Sequence, residues 1–255
     1  MNNHNLKSLM IVLIIGAFLT WIPIIAFARA SNYKIKCEDG EEFLIQERTP
    51  VQATNPVQPG DALVVIDTQK LQLTLIKDDR IVKTYPVAVG ETETPTPIGE
   101  WKVIHKGGNW GNGFGVRWIG LNVPWGVYGI HGTNKPWSIG TRASHGCIRM
   151  FNQHVLELYN TVKLGTPVRI IGVLPKVSPR KEVGRGNTGR DIIAFQLALR
   201  KAGFEAGTAD GRFGAEMEQA VLQFQQFYGL APTGKISFNE QIILGIREVL
   251  QKRGE

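Results

Sequence analysis

Cysteine is scarce in this sequence, with only Cys37 and Cys147 among 255 residues. At most one disulfide can join such a pair, so the chain is not a scaffold held together by many disulfides. Neither cysteine lies in a CxxC pair and no two histidines have the HxxxH spacing, so the closely spaced ligands typical of zinc sites are missing. Cys37 lies in a polar segment, and we interpret it as an incidental thiol.

Long runs of basic residues are also missing. The formal net charge of +7 favours polyanionic surroundings, such as a nucleic acid, a membrane face or a bacterial wall. Because lysines and arginines form no run, nothing singles out nucleic acid, and we expect none as a partner. A glycine-rich stretch over residues 107–115 is not followed by G-K-[ST], which excludes a phosphate-binding loop of that kind.

The first thirty residues have the composition of an export signal. Lys7 precedes an uncharged stretch over residues 8–28, and Ala28 and Ala30 occupy the two positions that a signal peptidase reads. We therefore expect a signal peptide over residues 1–30, cleaved before Ser31. The apolar run approaches membrane-spanning length, so an uncleaved signal-anchor is the alternative. Both hypotheses predict export.

A polar lead-in over residues 31–60 precedes a region with the pattern of strands. Residues 71–76 alternate apolar and polar side chains, as a half-buried strand does. Further strands are predicted at 62–67, 81–90, 100–105, 116–123, 126–132 and 167–173. Asn152 is predicted to cap one helix, whose apolar face is formed by Val155, Leu158, Tyr159 and Val162. Residues 61–174 are thus predicted to form a mainly β domain with one main helix.

A second, smaller domain is predicted after this region. Residues 175–189 are rich in proline, glycine and basic residues, which indicates a linker. Three helical patterns follow, at residues 191–202, 215–228 and 238–251. Residues 190–255 are therefore expected to form a small all-α domain that is tethered to the first and near the lower size limit for its own core.

Residues with catalytic chemistry concentrate between Ile130 and Met150. A thiol at Cys147 stands beside His145 and Arg149, and His131 ends a predicted strand upstream. A thiol becomes nucleophilic when an imidazole accepts its proton or a cation stabilises the thiolate. Gly146 permits a tight turn that exposes Cys147 and directs backbone N–H groups at a carbonyl oxyanion. The spacing does not decide between His131 and His145 as the base.

Two other interpretations of this stretch remain. Cys147 could be a buried structural cysteine, although its polar and glycine neighbours make an apolar burial site a poor fit. Zinc could be bound by His131, His145 and Cys147, whose donor types suit that metal. No obvious fourth ligand or catalytic carboxylate stands nearby in the sequence, and we expect neither a metal nor another cofactor.

The motif His131-Gly132-Thr133 followed by Ser144-His145-Gly146-Cys147-Ile148-Arg149 resembles the signature of the L,D-transpeptidase catalytic domain. Residues 87–90 and 94–101 resemble that family's strand and TP-x-G loop. The resemblance implies a β-sandwich-like fold, Cys147 as nucleophile and His131 as general base. It also implies that the Gly132 backbone orients the imidazole. Contacts with the oxyanion and substrate are implied for Ser144, His145, Gly146 and Arg149.

The C-terminal region resembles the three-helix peptidoglycan-binding domain. The segments that carry the resemblance are residues 195–199, 209–214, 220–225 and 229–234. Glu216 and Met217 depart from the small polar residues usual after the Phe-Gly pair. By their own chemistry the aromatic residues are core and the Asp-Gly pair is a turn, so contact with carbohydrate is implied only by the resemblance.

Five of the six tryptophans fall between residues 101 and 137, in a region punctuated by glycines. They form either an aromatic rim on a mobile lid over a peptide cleft or an ordinary core connected by turns.

Together the two resemblances imply a cell-wall L,D-transpeptidase that crosslinks peptidoglycan through a Cys147 thioester. The alternatives are a carboxypeptidase or endopeptidase that hydrolyses the same thioester and a non-catalytic wall-binding protein. Expected partners are peptidoglycan stem peptides and glycan, with carbapenem-type β-lactams as inhibitors. The protein is expected to act as a monomer, in the cell wall or at the outer face of the cytoplasmic membrane.

Overall fold

A computed structural model describes residues 31–36, 42–47, 62–108 and 112–247 of the chain. The predicted signal or anchor over residues 1–30, together with Cys37 and Trp110, lies outside the described residues. Within the described residues, no helix is both long enough and apolar enough to cross a membrane. The chain divides into two compact units, Met1–Glu47 and Arg48–Glu255.

The described part of the first unit is a pair of antiparallel strands. Strand β1 (Ser31–Lys36) pairs with β2 (Glu42–Glu47), and Ser31 lies opposite Glu47. The segment predicted as a polar lead-in therefore contains two strands that its composition did not indicate.

The described residues of the second unit form ten strands and four α-helices. The strands are β3 (Ala62–Asp67), β4 (Gln72–Lys77), β5 (Arg80–Pro86), β6 (Val89–Gly90), β7 (Gly99–Gly107), β8 (Trp118–Leu121), β9 (Tyr128–His131), β10 (Arg142–Ser144), β11 (Ile148–Arg149) and β12 (Pro167–Ile171). The helices are α1 (Asn152–Thr161), α2 (Arg190–Lys201), α3 (Ala215–Phe227) and α4 (Phe238–Ile243). Short 3₁₀ turns lie at Asn112–Phe114 and Pro136–Ser138.

Eight of these strands form one sheet in the order β11-β9-β8-β7-β12-β3-β4-β5. Most neighbours are antiparallel, but β12 runs parallel to β3 and β11 runs parallel to β9. Strands β6 and β10 pair separately, also in parallel. The predicted mainly β class, with one main helix beside the strands and helices at the C-terminus, is confirmed.

The alternation of buried and partly buried side chains explains why the segments of β3 and β4 form strands. Val64 and Ile66 of β3 are fully buried, as are Leu73 and Leu75 of β4 to within 2% exposure, whereas the residues between them are only partly buried. Helix α1 adds Val155 and Leu158 to the same core. Apolar burial of this kind stabilises a fold by about 25 cal/mol per Å².

The predicted N-cap role of Asn152 is wrong. Helix α1 begins at Asn152, the cap position is Phe151, and no side chain caps this end. The Asn152 amide oxygen instead accepts the backbone N–H of Thr133 at 3.1 Å and that of Val116 at 3.4 Å. The side chain thus joins two loops next to β9 rather than closing its own helix.

The C-terminal helices surround a second core that includes Phe195, Phe213 and Phe224. Val183 is buried in this core and pairs with Ile236 through two backbone hydrogen bonds, so part of the predicted linker packs with the helices. Helix α4 ends at Ile243, well before the predicted residue 251. The chain leaves the helix there because the Ile246 N–H bonds to the carbonyl of Gln241, five residues back, which is a helix-ending pattern.

Candidate active site

The parallel pairing of β9 with β11 brings the two halves of the sequence motif together. His131 lies opposite Arg149, and Ile130 lies opposite Ile148. Side chains two residues apart on a strand share a face, so Cys147, immediately before β11, is on the side of Arg149 and His131. The pairing therefore brings the two halves of the motif onto neighbouring strands at the edge of the sheet.

The imidazole of His131 is enclosed by aromatic rings. Trp118 stacks on it with ring centroids 5.5 Å apart, and Phe114 contacts it edge-on at 5.1 Å. The side chain is 3% exposed. Burial lowers the pKa of His131 to about 4, and the nearby Arg149 charge lowers it further, against opposing contributions from the backbone of Gly132 and Phe114. His131 is therefore an unprotonated base at neutral pH.

The backbone next to His131 fixes which ring nitrogen is basic. Nδ1 contacts the carbonyl oxygen of Gly132, which can only accept a hydrogen bond. In the neutral ring this contact assigns the proton to Nδ1, which leaves Nε2 as the unprotonated nitrogen. The loop that follows Gly132 is held by Asn152 through Thr133. The ring orientation thus depends on α1 as well as on β9.

Cys147 is a half-buried thiol at the start of β11. Its Sγ lies 3.9 Å from the carbonyl oxygen of Val127. Burial raises the pKa of the thiol, while a backbone contact at Gly129 and the positive charge of Arg149 lower it in part. In the resting protein the thiol is therefore neutral, and its reaction requires a base to remove the proton as the sulfur attacks.

The turn that presents Cys147 is fixed by Ser144 and Gly146. The Ser144 hydroxyl accepts the Gly146 N–H at 3.1 Å and donates to the Cys147 carbonyl. Gly146 has φ of +113°, and a Cβ there would come within 2.7 Å of the Tyr128 ring. A larger residue would therefore both strain the backbone and displace Tyr128. The Gly146 N–H is therefore engaged by Ser144 rather than directed at a substrate oxygen.

The predicted site residues occupy different environments. His131, Gly132, Ser144 and Gly146 are buried, Cys147 and Arg149 are half-buried, and His145 is exposed. Register pairs His131 with Arg149, and Cys147, two residues before Arg149, is expected on the same face; no described contact joins the thiol to either His131 or His145.

Sequence reasoning missed Trp118, Phe114 and Asn152 as members of this site. Trp118 lies opposite His131 in the β8–β9 register, and its ring also fills the place where a side chain at Gly129 would stand. Trp118 lies in a predicted strand and Phe114 in the glycine-rich stretch before it. The strand pairing that brings both rings to His131 is not visible in the sequence. Asn152 was predicted to cap its own helix, but its side chain instead accepts the N–H groups of Thr133 and Val116.

The tryptophans do not act as one group. Trp101 and Trp118 are buried, Trp125 is partly buried, and Trp137 is 75% exposed. Trp101 and Trp118 are therefore core residues, whereas Trp137 is an exposed aromatic side chain.

In the described part of the chain, no three His, Cys, Asp or Glu side chains form a group that could hold a metal ion. A neutral thiol and a neutral imidazole on neighbouring strands are a combination suited to nucleophilic attack on a carbonyl carbon, with proton transfer from sulfur to nitrogen. The fold is a mainly β domain with this cysteine and histidine at one edge of its sheet.

Comparison with known proteins shows that two regions of the chain match known families. Residues 61–170 match the family described as YkuD, L,D-transpeptidase catalytic domain, and residues 188–239 match the family described as "Putative peptidoglycan binding domain". The protein "Putative L,D-transpeptidase YqjB" of Bacillus subtilis (strain 168) is 39% identical over 131 residues, which cover 46% of this chain and 74% of that protein. The chain belongs to the L,D-transpeptidase family.

Other relatives match a shorter region. "Putative L,D-transpeptidase YkuD" of Bacillus subtilis (strain 168) is 50% identical over 98 residues, which cover 38% of this chain and 58% of that protein. The chain thus spans little more than half the length of this relative. The NMR structure of the catalytic domain from E. faecium L,D-transpeptidase matches 45% of this chain and all of that chain, with 25% identity and a TM-score of 0.39.

Proposed function

We propose that this protein crosslinks peptidoglycan by transferring a stem-peptide acyl group through a thioester at Cys147. The observation that supports the proposal is the register of β9 and β11, which pairs His131, an imidazole with a lowered pKa, with Arg149, two residues after Cys147. Family membership supplies the substrate class, because the matched domain is named for L,D-transpeptidation.

In the first step the Cys147 sulfur attacks the carbonyl carbon of the amide that joins an L-centre to the terminal D-alanine of a tetrapeptide. His131 Nε2 takes the thiol proton and passes it to the departing amine as the carbon–nitrogen bond breaks. The products are a thioester and free D-alanine. Burial keeps both groups neutral beforehand, so no separated charge has to be held in the apolar pocket before the substrate arrives.

In the second step an amine on another stem peptide attacks the thioester. His131 removes a proton from that amine, a new amide forms, and the thiol is regenerated. If water attacks instead, the same intermediate gives hydrolysis. Arg149, which lies opposite His131, would stabilise the negative charge that develops on oxygen or sulfur. We assign the oxyanion contact to the motif's remaining backbone amides and to Arg149.

We further propose that the C-terminal helices bind the wall polymer. A cavity of about 280 Å³ in this region is lined by Gln196, Thr208, Asp210, Arg212, Glu216 and Met217, among others. Both signs of charge line it, which suits a stem peptide that carries amino and carboxyl groups. Glu216 and Met217, which replace the small polar residues usual after the Phe-Gly pair, line this cavity and would change which ligand it prefers.

These roles imply that the protein works outside the cytoplasm, at the cell wall. The support is the match to a peptidoglycan-binding family at residues 188–239 and the signal-like composition of residues 1–30. We propose that it acts there as a monomer.

The decisive experiment follows a soluble tetrapeptide with purified protein, with and without an amine acceptor. We expect a thioester on the peptide that contains Cys147, release of D-alanine, and a crosslinked product when the acceptor is present. Cys147→Ala should abolish all three signals, and His131→Ala should slow thioester formation by about 10²-fold or more. His145→Ala is the matched control, because that imidazole is exposed, and it should retain most of the activity.

Several outcomes would overturn these assignments. Turnover by Cys147→Ala would remove the nucleophile, and loss of thioester formation in His145→Ala but not His131→Ala would move the base. Release of the tripeptide acid, without crosslinked product at any acceptor concentration, would identify a hydrolase.

A further inference from the structure

The C-terminal helices are joined to the catalytic sheet by a polar contact centred on Glu100. The Arg200 guanidinium of α2 donates to both Glu100 carboxylate oxygens, at 2.9 and 3.4 Å, and each side chain is only 19% exposed. The Ala209 N–H donates to the same carboxylate at 3.1 Å. The Glu100 N–H in turn donates to the Ala209 carbonyl at 2.9 Å. One residue of β7 therefore holds both a helix and a loop of the second domain.

Other contacts make this junction extensive. Ile193 of α2 belongs to the same apolar core as β3, β4 and α1, although it is in the C-terminal part of the chain. The Arg212 guanidinium donates to the carbonyl of Asn122 at 2.8 Å. A residue buried in the core of the partner domain is not compatible with a freely tethered module, so the two domains are docked.

Glu100 directly follows a loop that leads to the active site. In this loop, residues 94–99, the Thr94 hydroxyl donates to the Ser144 carbonyl at 3.3 Å, and Thr96 accepts the Gly90 N–H at 2.8 Å. The Pro95 carbonyl lies against Gly146, the residue before Cys147. The same loop faces α2 across a small cavity of about 20 Å³ whose walls include Pro95, Ile98 and Ile193.

We propose that Glu100 and Arg200 are positioning residues: by clamping the end of the 94–99 loop, the C-terminal domain sets the shape of the turn that presents Cys147. The sequence of contacts runs from Arg200 to Glu100, along the loop to Thr94 and Pro95, and from there to Ser144 and Gly146. Acylation needs the backbone amides of this turn in place for the developing oxyanion, whereas alkylation needs an accessible sulfur and removal of its proton but no oxyanion contact. The inference rests on the proposed function for its substrate but not for its geometry.

The test uses the full chain with Arg200→Ala, Arg200→Lys and Glu100→Gln. Two rates are measured at Cys147: thioester formation with a soluble tetrapeptide and alkylation by iodoacetamide. We expect Arg200→Ala to slow thioester formation by about tenfold, since small misplacements of reacting groups are costly, while alkylation changes by less than about twofold. The effect should appear in the rate at saturating tetrapeptide rather than in its KM. Arg200→Lys, which keeps the charge, should recover part of the loss.

A matched control is Arg185→Ala, which breaks the Arg185–Glu218 ion pair inside the C-terminal domain and away from the junction. It should leave both rates unchanged. The double variant Glu100→Gln with Arg200→Ala should lose less than the product of the two single losses, because the two variants share the Glu100–Arg200 contact, while Glu100 also pairs with Arg169 at 3.4 Å and accepts the Ala209 N–H. Hydrogen exchange should be faster at the non-proline amides of residues 94–99 in Arg200→Ala but not in Arg185→Ala.

Each result decides the proposal. Equal losses in thioester formation and alkylation would indicate a general folding defect, and unchanged thioester formation would show that the junction does not position the turn; either overturns it. If the wild-type protein forms no thioester, the proposed function fails. Faster exchange of residues 94–99 and 144–147 in Arg200→Ala would then still support the coupling, and its absence would refute it.

Discussion

The imidazole of His131 and the indole of Trp118 stack with centroids 5.5 Å apart and planes inclined by 20°. This contact removes the base from water and is part of the burial that lowers the pKa of His131 to about 4. The imidazole is therefore unprotonated at neutral pH, and the first two predictions follow from the burial that lowers its pKa.

The first prediction concerns the pH dependence of thioester formation. His131 acts when unprotonated, so activity is lost only as the pH falls through its pKa of about 4, rather than through the ordinary value of 6.5. The measurement is the single-turnover rate with soluble tetrapeptide between pH 3.5 and 7. A midpoint near 6.5 in a protein that remains folded would contradict the buried, neutral imidazole.

The second prediction concerns stability. The pKa of His131 is lower in the folded protein than in the unfolded chain, so between pH 6.5 and about 4 the unfolded chain binds more protons and stability falls as the pH falls. The difference in pKa corresponds to about 3 kcal/mol at most. His131→Gln should therefore lose less unfolding free energy over this range than the wild type. Denaturant unfolding at several pH values measures the two slopes, and identical slopes would refute the assignment.

Asn152 provides a third prediction. Its amide oxygen accepts the N–H groups of Thr133 and Val116, so Asn152→Ala leaves two donors without that partner, at a cost of about 1–3 kcal/mol. The loop after His131 should loosen, and thioester formation should slow. Asn152→Asp keeps the acceptor and should restore most of the stability. The neighbouring exposed Gln153→Ala is the control, and an equal effect there would show that α1, rather than the Asn152 contact, is responsible.

A fourth prediction is that carbapenem-type β-lactams acylate Cys147. The sulfur attacks the strained amide carbonyl, the ring opens and the nitrogen takes the proton, so no atoms are lost. Mass spectrometry should show one intact inhibitor mass on the Cys147 peptide and none in Cys147→Ala. An adduct on another residue, or none in a protein whose Cys147 reacts with iodoacetamide, would argue against the expected carbonyl site.

The fifth prediction separates wall binding from catalysis. Glu216 is exposed and lines the cavity of the C-terminal domain. If this cavity holds an amine of the stem peptide, Glu216→Gln should weaken sedimentation with purified sacculi by about threefold, as expected for one exposed polar contact. Turnover of soluble tetrapeptide should not change. Glu218→Gln, on the same helix but outside the cavity, is the control; equal weakening there would indicate a general charge effect.

Much of the fold could be predicted because its signals are local. The alternation of Leu71, Leu73 and Leu75 predicts a strand, and β4 is found one residue later, at Gln72–Lys77. Helices α2 and α3 lie within one residue of their predicted bounds, because their apolar faces have clear helical spacing. The residue types drew attention to the stretch from Ile130 to Met150, but the choice of His131 over His145 as base came from the family resemblance and stays a prediction.

What the sequence did not reveal depends on contacts between distant segments. Strands β10 and β11 have three and two residues, too few for any periodicity, yet they position Ser144 and Cys147. The segment over residues 175–189 has the composition of a linker, but Val183 is buried through pairing with Ile236, over fifty residues away. The Glu100–Arg200 contact likewise joins residues that have no common local pattern.

The parallel pairing of β9 and β11 has a consequence for how the site can diversify. Parallel neighbours need a long connection, and here it runs from residue 132 to residue 147, with the exposed Trp137 on its surface. The ladder fixes His131 opposite Arg149 whatever the path between the strands. The outer part of this connection, around residues 134–140, can therefore change length and composition while the reacting groups keep their register. We expect a different connection grafted at these residues to leave the register of β9 and β11 unchanged.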